Sequence, residues 1–344
     1  MIYVAIAALL FLLRFMTKGR PELSRQLYPI VLFALFLFSA FRYKVGCDWG
    51  GYWNQYQLAG LMSFDDVVQG RETLWWIIIR SMYGTGLTYP WINVMSSAIA
   101  FGGIHVLARR QPDPLGFLVL LFPVLVINMP MSAIRQGAAI GGICVAVARL
   151  LDRKALAFAF WVLLATSFHS SALIFVLLTP LIARRVTMLR ILIAVILAIP
   201  GLILLNTGNS GQTATSRYIG ADRDAFGAVF TLSGIFYFIF LRRAWRRDFR
   251  SDYAVVTIGA FGMIGIIVGL PVSSIIGDRF GYYFIPVQSM IFARVPWLSH
   301  LPSKALLSTI PYIGLLVFFA VWSVLSRHFQ MCYVPYQNWL FGAP

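Results

Sequence analysis

An all-α, polytopic membrane bundle is the fold class this sequence predicts, and three observations predict it. Of 344 residues, 60% are hydrophobic and 12% charged, against roughly 45–50% and about 25% in a soluble domain. The mean hydropathy is +0.79. Apolar runs near the ~20 residues that a helix needs to cross a bilayer recur along the chain, separated by arginine-bearing loops. A transmembrane barrel would instead show short segments of alternating polarity. No polar stretch is long enough for a second core, so residues 1–344 read as one integral membrane domain.

The elements follow in order. Met1–Phe15 is apolar and is succeeded by basic residues, the reverse of a cleaved signal, so it reads as a retained first helix. Arg14, Lys18, Arg20 and Arg25 place the next loop in the cytoplasm. Tyr28–Phe41 returns outward to a polar loop from Arg42 to Arg71, and Glu72–Tyr83, amphipathic with Trp75 and Trp76, suits the outer interface. Pro90–Ala108 goes in, Leu115–Ile127 out, and Ser132–Leu151 in again, to Arg149, Arg153 and Lys154.

Ala155–Ala183 breaks the simple alternation. Lys154 and the pair Arg184–Arg185 both belong on the cytoplasmic side, which one crossing cannot satisfy. Two short helices meeting outside can. The strongly polar run between them is Ser167-Phe168-His169-Ser170-Ser171, so a hairpin or broken helix is expected around His169. Irregular backbone at that depth is tolerated where it lines a cavity. Leu189–Leu205 then goes out to the loop Asn206–Ala225, and Phe226–Leu241 comes in to the basic run Arg242–Arg247. Tyr253–Leu270 goes out, Gly277–Ala293 in and Leu306–Leu325 out, with Arg327–Pro344 as an interfacial cap. The expectation is roughly 10–12 transmembrane segments, counting the two halves.

The net charge of +16 comes from 28 Lys and Arg against 12 Asp and Glu. In this chain arginine-rich cytoplasmic loops that fix topology and contact anionic lipid account for it, and nucleic acid is not expected as a partner. Cys47, Cys144 and Cys332 lack metal-ligand spacing. Cys144 falls mid-helix. Cys47 and Cys332 fall on the same outer side, where a disulfide is one option. His105, His300 and His328 show no ligand spacing either, so neither a metal nor a cofactor is expected. The sequence holds no nucleotide fingerprint, phosphate-binding glycine loop or serine nucleophile elbow.

The residues that stand out are charged groups at helix mouths on one side, where charge is expensive and usually serves a water-filled cavity. Arg42 and Asp48 bound the outer end of the second helix, with Tyr52 and Tyr56 beyond; a snorkelling arginine and a simple ion pair are the structural alternatives. Pro130 forces a break, Ser132 is a candidate cap, and Arg135 and Gln136 fall in the first turn of the next helix. A helix N-terminus favours an anion, so an arginine there needs an anionic partner or ligand. Gly137 and Gly141 behind it suit close helix packing. Asp278 and Arg279 open another helix at its outer end, followed by Tyr282, and two such arginines can grip a phosphate bidentately. Arg217, with Tyr218, Asp222 and Arg223, falls in an outer loop where a solvated charge is the commoner reading. His169 suits proton transfer or a structural hydrogen bond.

These motifs, in this order, resemble those of the EpsG-like branch of the Wzy polysaccharide polymerases. The Arg-x-x-x-Gly-x-Asp run with following tyrosines is Arg42, Gly46, Asp48, Tyr52 and Tyr56 here. Ile134-Arg135-Gln136 opens a helix, Phe168-His169-Ser170-Ser171 matches a Phe-His-x-Ser motif, and Arg279-Phe280-Gly281-Tyr282 an Arg-x-x-Tyr. The resemblance implies a metal-independent glycosyltransferase of the bacterial inner membrane. It would move a growing glycan from undecaprenyl pyrophosphate to a hydroxyl of the incoming lipid-linked repeat unit, on the periplasmic side. It also implies lipid-linked oligosaccharide units as substrates, and a flippase and chain-length regulator as partners. Arg135 and Arg279 would hold pyrophosphate with Arg42 and Arg217; Gln136, Tyr52 and Tyr282 would line the substrate; His169 or Asp48 would activate the acceptor. Two other readings stay open. A flippase would carry polar groups near mid-membrane and expose them to both faces in turn. A membrane O-acyltransferase would use a membrane histidine, with its acyl donor coming from the cytoplasm.

Overall fold

The computed structural model describes residues 2–70, 72–182, 229–270 and 274–342. Among them the regular elements are helices, and the β contact is an isolated bridge between Arg42 and Asn338. α1 (Ile2–Met16) and α2 (Pro21–Ala40) are followed by two short helices, α3 (Trp49–Leu61) and α4 (Phe64–Gln69), where the sequence predicts only a polar loop. Aromatic packing at i, i+4 spacing accounts for α3: Trp49 and Trp53 stack with ring centres 5.9 Å apart, and Tyr89 meets both edge-on. A capping box between Ser63 and Asp66 starts α4. α5 (Thr73–Gly84) is the expected amphipathic segment. Its Trp75 is fully buried rather than interfacial and donates to Gln55 at 3.2 Å.

α6 (Pro90–Ala108) leads to α7 (Pro114–Leu121), which continues through a π-helical turn at Phe122–Val126. Pro123 lies in that turn, where its missing N–H and its ring disturb the regular ladder. α8 (Ile134–Leu151) is followed by α9 (Ala155–Thr166) and a 3₁₀ helix, Ser170–Ile182. The break therefore falls at His169, as expected from the charge parity. Ser167 donates to the Leu164 carbonyl at 2.6 Å, a local bond that competes with continuing the helix. Beyond the undescribed stretch come α10 (Ser233–Phe236), a π-helical run Tyr237–Leu241 and α11 (Arg242–Asp248). α12 (Tyr253–Gly269), α13 (Ser274–Ala293), α14 (Lys304–Leu325) and α15 (Arg327–Tyr333) complete the chain. The expected helix Leu189–Leu205 and the loop carrying Arg217 lie outside the described residues.

Four of these helices, α2, α6, α8 and α14, are long and apolar enough to cross a membrane, and four shorter apolar ones accompany them: Ile2–Met16, Pro114–Val126, Ala155–Thr166 and Tyr253–Val268. Burial sorts centre from edge. Every residue of Pro114–Val126 is buried, and 83% of α8 is buried, against 17% of α14. A helix apolar all round belongs at the centre, whereas the exposed Leu12, Phe15, Ile30, Phe33 and Val317 form a surface suited to lipid. Glycine sets the tightest approach: a Cβ at Gly103 would sit 1.9 Å from the Gly141 carbonyl oxygen, so α6 and α8 touch backbone to backbone.

The polar contacts divide between two ends. At one, Arg14 pairs with Asp113 at 2.6 Å, Arg110 with Asp152 at 2.6 Å, and Arg294 with Asp252 at 2.5 Å, while Arg294 also donates to Gln111 at 2.8 Å. These ties bring together the loops that the arginine pattern assigns to the cytoplasm. At the other end the C-terminal tail straps over the loop after α2. Tyr43 N–H donates to Gln337, Gly46 N–H to Cys332 at 2.7 Å, and Trp339 N–H to Phe41. Cys47 and Cys332, with Cα atoms 4.7 Å apart, close a disulfide there. Cys144 is free and buried.

Candidate active site

A cavity of about 530 Å³ opens at the strapped end. Four separate stretches supply its polar lining: Asp48, Tyr52 and Gln55 around the start of α3; Ser132, Arg135 and Gln136 around the start of α8; His169 at the helix break; and Asp278, Arg279 and Tyr282 in α13. His328 and Tyr333 of α15 complete the wall. Seven residues proposed from sequence thus share one cavity: Asp48, Tyr52, Arg135, Gln136, His169, Arg279 and Tyr282. Asp48, Tyr52, Arg135, Gln136 and His169 come from helix starts or the break, whereas α13 already begins at Ser274, so Arg279 does not open its helix as the sequence suggests and Tyr282 projects from the helix body.

Arg42 is not in that lining. Its guanidinium is buried and donates to the carbonyls of Ser39 at 2.6 Å, Met131 at 2.9 Å and Val45 at 3.3 Å, and to Asn93 Oδ1 at 3.0 Å. Gly46 presses on the same Met131 carbonyl: at φ +103°, a Cβ there would lie 2.1 Å from the oxygen. Arg42 and Gly46 therefore bolt the loop after α2 to the segment before α8. The consequence is that Asp48, two residues beyond Gly46, faces the cavity.

Arg135 sits in the first turn of α8. The N-cap position is Ala133, with no side-chain cap, so Ser132 does not play the capping role that the sequence suggests. The anionic partner that an arginine at this position needs is Glu72, which the sequence reading did not single out. Its carboxylate pairs with Arg135 and accepts from the Ser170 N–H at 3.0 Å. Glu72 has a left-handed φ of 58°, a conformation that a non-glycine residue keeps only where its surroundings enforce it. One side chain thus ties α5, the mouth of α8 and the break after α9. The signal available in sequence was rarity, since Glu22 and Glu72 are the only glutamates in the chain.

Arg135 keeps further capacity. Its guanidinium lies 5.7 Å from the Tyr52 ring centre, and among the described residues its buried Nε has no hydrogen-bond partner. Gln136, itself buried, donates to the Arg279 carbonyl at 2.6 Å and so fixes the mouth of α8 against α13. His169 Nδ1 lies 2.6 Å from Ser171 Oγ, which in turn lies 2.9 Å from the Tyr283 hydroxyl. When Nδ1–H donates to Ser171, Ser171 donates to Tyr283 and Nε2 carries the free lone pair of a base. The cavity sets two arginines against two aspartates, so it is organised for local charge pairing rather than as a uniformly cationic bowl.

His328 also escaped the sequence reading, because nothing in its spacing marks it. It lines the cavity, and its Nε2 is 3.2 Å from Cys47 Sγ. Ligand atoms of Cys47, His328 and Cys332 lie within 4.8 Å of one another. With the two sulfurs joined to each other, the cluster offers no thiolate to a metal.

The Glu72–Arg135 tie has a measurable consequence. Glu72→Ala leaves the cation without its carboxylate and is expected to cost about 1–3 kcal/mol, less than a fully buried pair because Arg135 faces the cavity. Glu72→Gln, which keeps a hydrogen-bond acceptor, is expected to lose less. Thermal unfolding of the two detergent-solubilised variants beside the parent checks the order, and equal melting of all three would remove Glu72 from this role.

No curated protein and no solved structure matches the chain. The model of the EpsG family matches residues 25–338, which include all the residues of the cavity. The likeness carried by the short motifs thus extends over nearly the whole length. By that match the chain belongs to the EpsG family, as a polysaccharide polymerase-like membrane protein of glycosyltransferase type.

Proposed function

We propose that this protein polymerises lipid-linked oligosaccharide repeat units at the periplasmic face of a bacterial inner membrane. The observation that carries the reading is the gathering of Arg135, Arg279, Asp48 and His169 around one cavity, at the end opposite the basic loops. In the reaction, the bond between the anomeric carbon of the growing glycan and undecaprenyl pyrophosphate breaks. A hydroxyl of the incoming unit forms the new bond to that carbon, and its proton passes to His169 or Asp48. The departing pyrophosphate develops negative charge, and preorganised cations in a site of low dielectric stabilise that charge without reorganisation. Arg135 and Arg279 are the cations, and no metal is required. Arg135 can serve while paired to Glu72, because a guanidinium carries five donors in a fixed fork. Tyr52, Tyr282 and Gln136 shape the wall, and Arg42 acts by holding the loop that presents Asp48. Arg217 remains a candidate for a further pyrophosphate contact. A flippase would deliver the units, and a chain-length regulator would act on the product.

The test is reconstitution into vesicles with purified lipid-linked repeat units. A ladder of lengthening glycan, unaffected by a chelator, is the expected result. Translocation of units without elongation would replace the reading with a transporter, and dependence on an acyl donor would replace it with an acyltransferase. Single cysteines at Lys44 and Arg246 are expected to label from the periplasm and the cytoplasm respectively. Labelling of both from one side would overturn the orientation.

A further inference from the structure

A second cavity, of about 710 Å³, adjoins the first, and Asn128, Asp278, Tyr282 and His328 line both. Beyond these shared residues the wall changes character. Phe318, Val321, Trp322 and Leu325 of α14 form its apolar side, at the i, i+3, i+4 and i+7 spacing of one helix face, and Ser326 and Arg327 follow at the end of that helix, beside His328. α14 is the most peripheral of the four long apolar helices, and Val321 and Leu325 are 51% and 77% exposed. The second cavity is therefore polar where it meets the site and apolar where it reaches the outside of the bundle. That outside is the surface suited to lipid, at the end of α14 next to the disulfide strap.

A cavity graded in this way fits an amphiphile that arrives sideways from the bilayer, with its polar head leading and its chain trailing. We infer that the cleft between α13 and α14 seats the proximal isoprene units of a polyprenyl diphosphate, and that the lipid reaches and leaves the site laterally there. The diphosphate then stands at the boundary between the cavities, with Asn128 and His328 beside it and Arg279 on the side of the first cavity. The inference rests on the proposed polymerase reading for what the lipid carries, but the fit to a lipid diphosphate comes from the cleft itself.

The experiment uses the full chain in lipid nanodiscs with a photoreactive benzoylphenylalanine at position 321 or, as control, at 313. Ile313 is 57% exposed on the same helix but does not line the cavity. The probe is labelled undecaprenyl diphosphate without sugar. The expected result is a crosslink from position 321 that excess unlabelled undecaprenyl diphosphate competes away and bulk phospholipid does not, with only uncompeted background from 313. Equal crosslinking from both positions, or none that is competed, would overturn the inference. A second arm replaces Val321 by tryptophan to narrow the cleft. KM for an undecaprenyl-linked unit is expected to rise several-fold with kcat retained, while a unit on methyl diphosphate, which has no isoprene to seat, is unaffected. An equal change for both substrates, or for neither, counts against lateral seating. Competed crosslinking without polymer from any unit would leave the cleft standing and remove the polymerase reading, whereas polymer formation with no competed crosslink would do the reverse.

Discussion

Replacing Arg135 is expected to lower polymer formation by roughly 10²–10³-fold, the range for losing one preorganised donor that faces developing negative charge. The plain alanine variant carries a complication that the structure exposes. Without Arg135, the largely buried Glu72 carboxylate keeps the Ser170 N–H but loses its cation, and an uncompensated charge of that kind can cost about 3–5 kcal/mol. Lost activity would then be confused with lost fold. Pairing the changes removes the confusion: in Glu72→Gln with Arg135→Gln, both charges are absent and an amide–amide hydrogen bond can replace the ion pair. This double variant is expected to melt close to the parent and still to form no polymer. Arg135→Lys is expected to fail as well, because a point charge cannot hold Glu72 and grip a diphosphate with the same planar fork. Stable protein with near-parental chain growth in the double variant would dismiss Arg135 from the chemistry.

The second large effect is expected at His169. If it accepts the proton of the acceptor hydroxyl, His169→Ala loses on the order of 10²–10⁴-fold in rate, the usual contribution of a positioned acid or base. His169→Gln can keep the hydrogen bond to Ser171 Oγ but cannot take the proton, so it remains nearly as impaired. A histidine that only holds the break between α9 and the 3₁₀ helix predicts the opposite pattern: glutamine rescues, and alanine lowers stability together with activity. Ser171→Ala separates the orienting contact from the base itself. It leaves Nε2 in place while releasing Nδ1 and the Tyr283 hydroxyl, and so is expected to cost less than His169→Ala. Turnover and thermal unfolding measured on the same preparations decide among these. A stable glutamine variant with near-normal turnover would move the role of base to Asp48.

Much of the bundle could be read along the chain, and the reason is local. The bilayer demands a run of apolar residues for each crossing, and arginine biases the ends of each run. Pro90–Ala108 comes out of the sequence with the bounds that the structure gives it, and the break at His169 follows from charge parity together with the polar run Ser167–Ser171. The gathering of charged residues at one end of the bundle is equally legible, because a charged residue near a helix end stands out against an apolar background. α3 and α4 were not legible. Their helicity comes from aromatic stacking on Tyr89, forty residues from Trp49 in sequence, and from a cap, within a stretch too polar to look like a span.

The tertiary structure alone decided how those charges are used. Arg42 and Arg135 look alike in sequence, each an arginine at a helix end on the outer side. Packing sends one into the backbone carbonyls around Met131 and leaves the other facing a cavity, with Glu72 at its back. His328 and the Cys47–Cys332 link are further cases, since they join parts of the chain 281 and 285 residues apart. Sequence determines which residues are too costly to leave in lipid. Whether such a residue is neutralised by the fold or held ready for a substrate depends on which distant groups the closed bundle brings within hydrogen-bonding reach, and no local pattern encodes that.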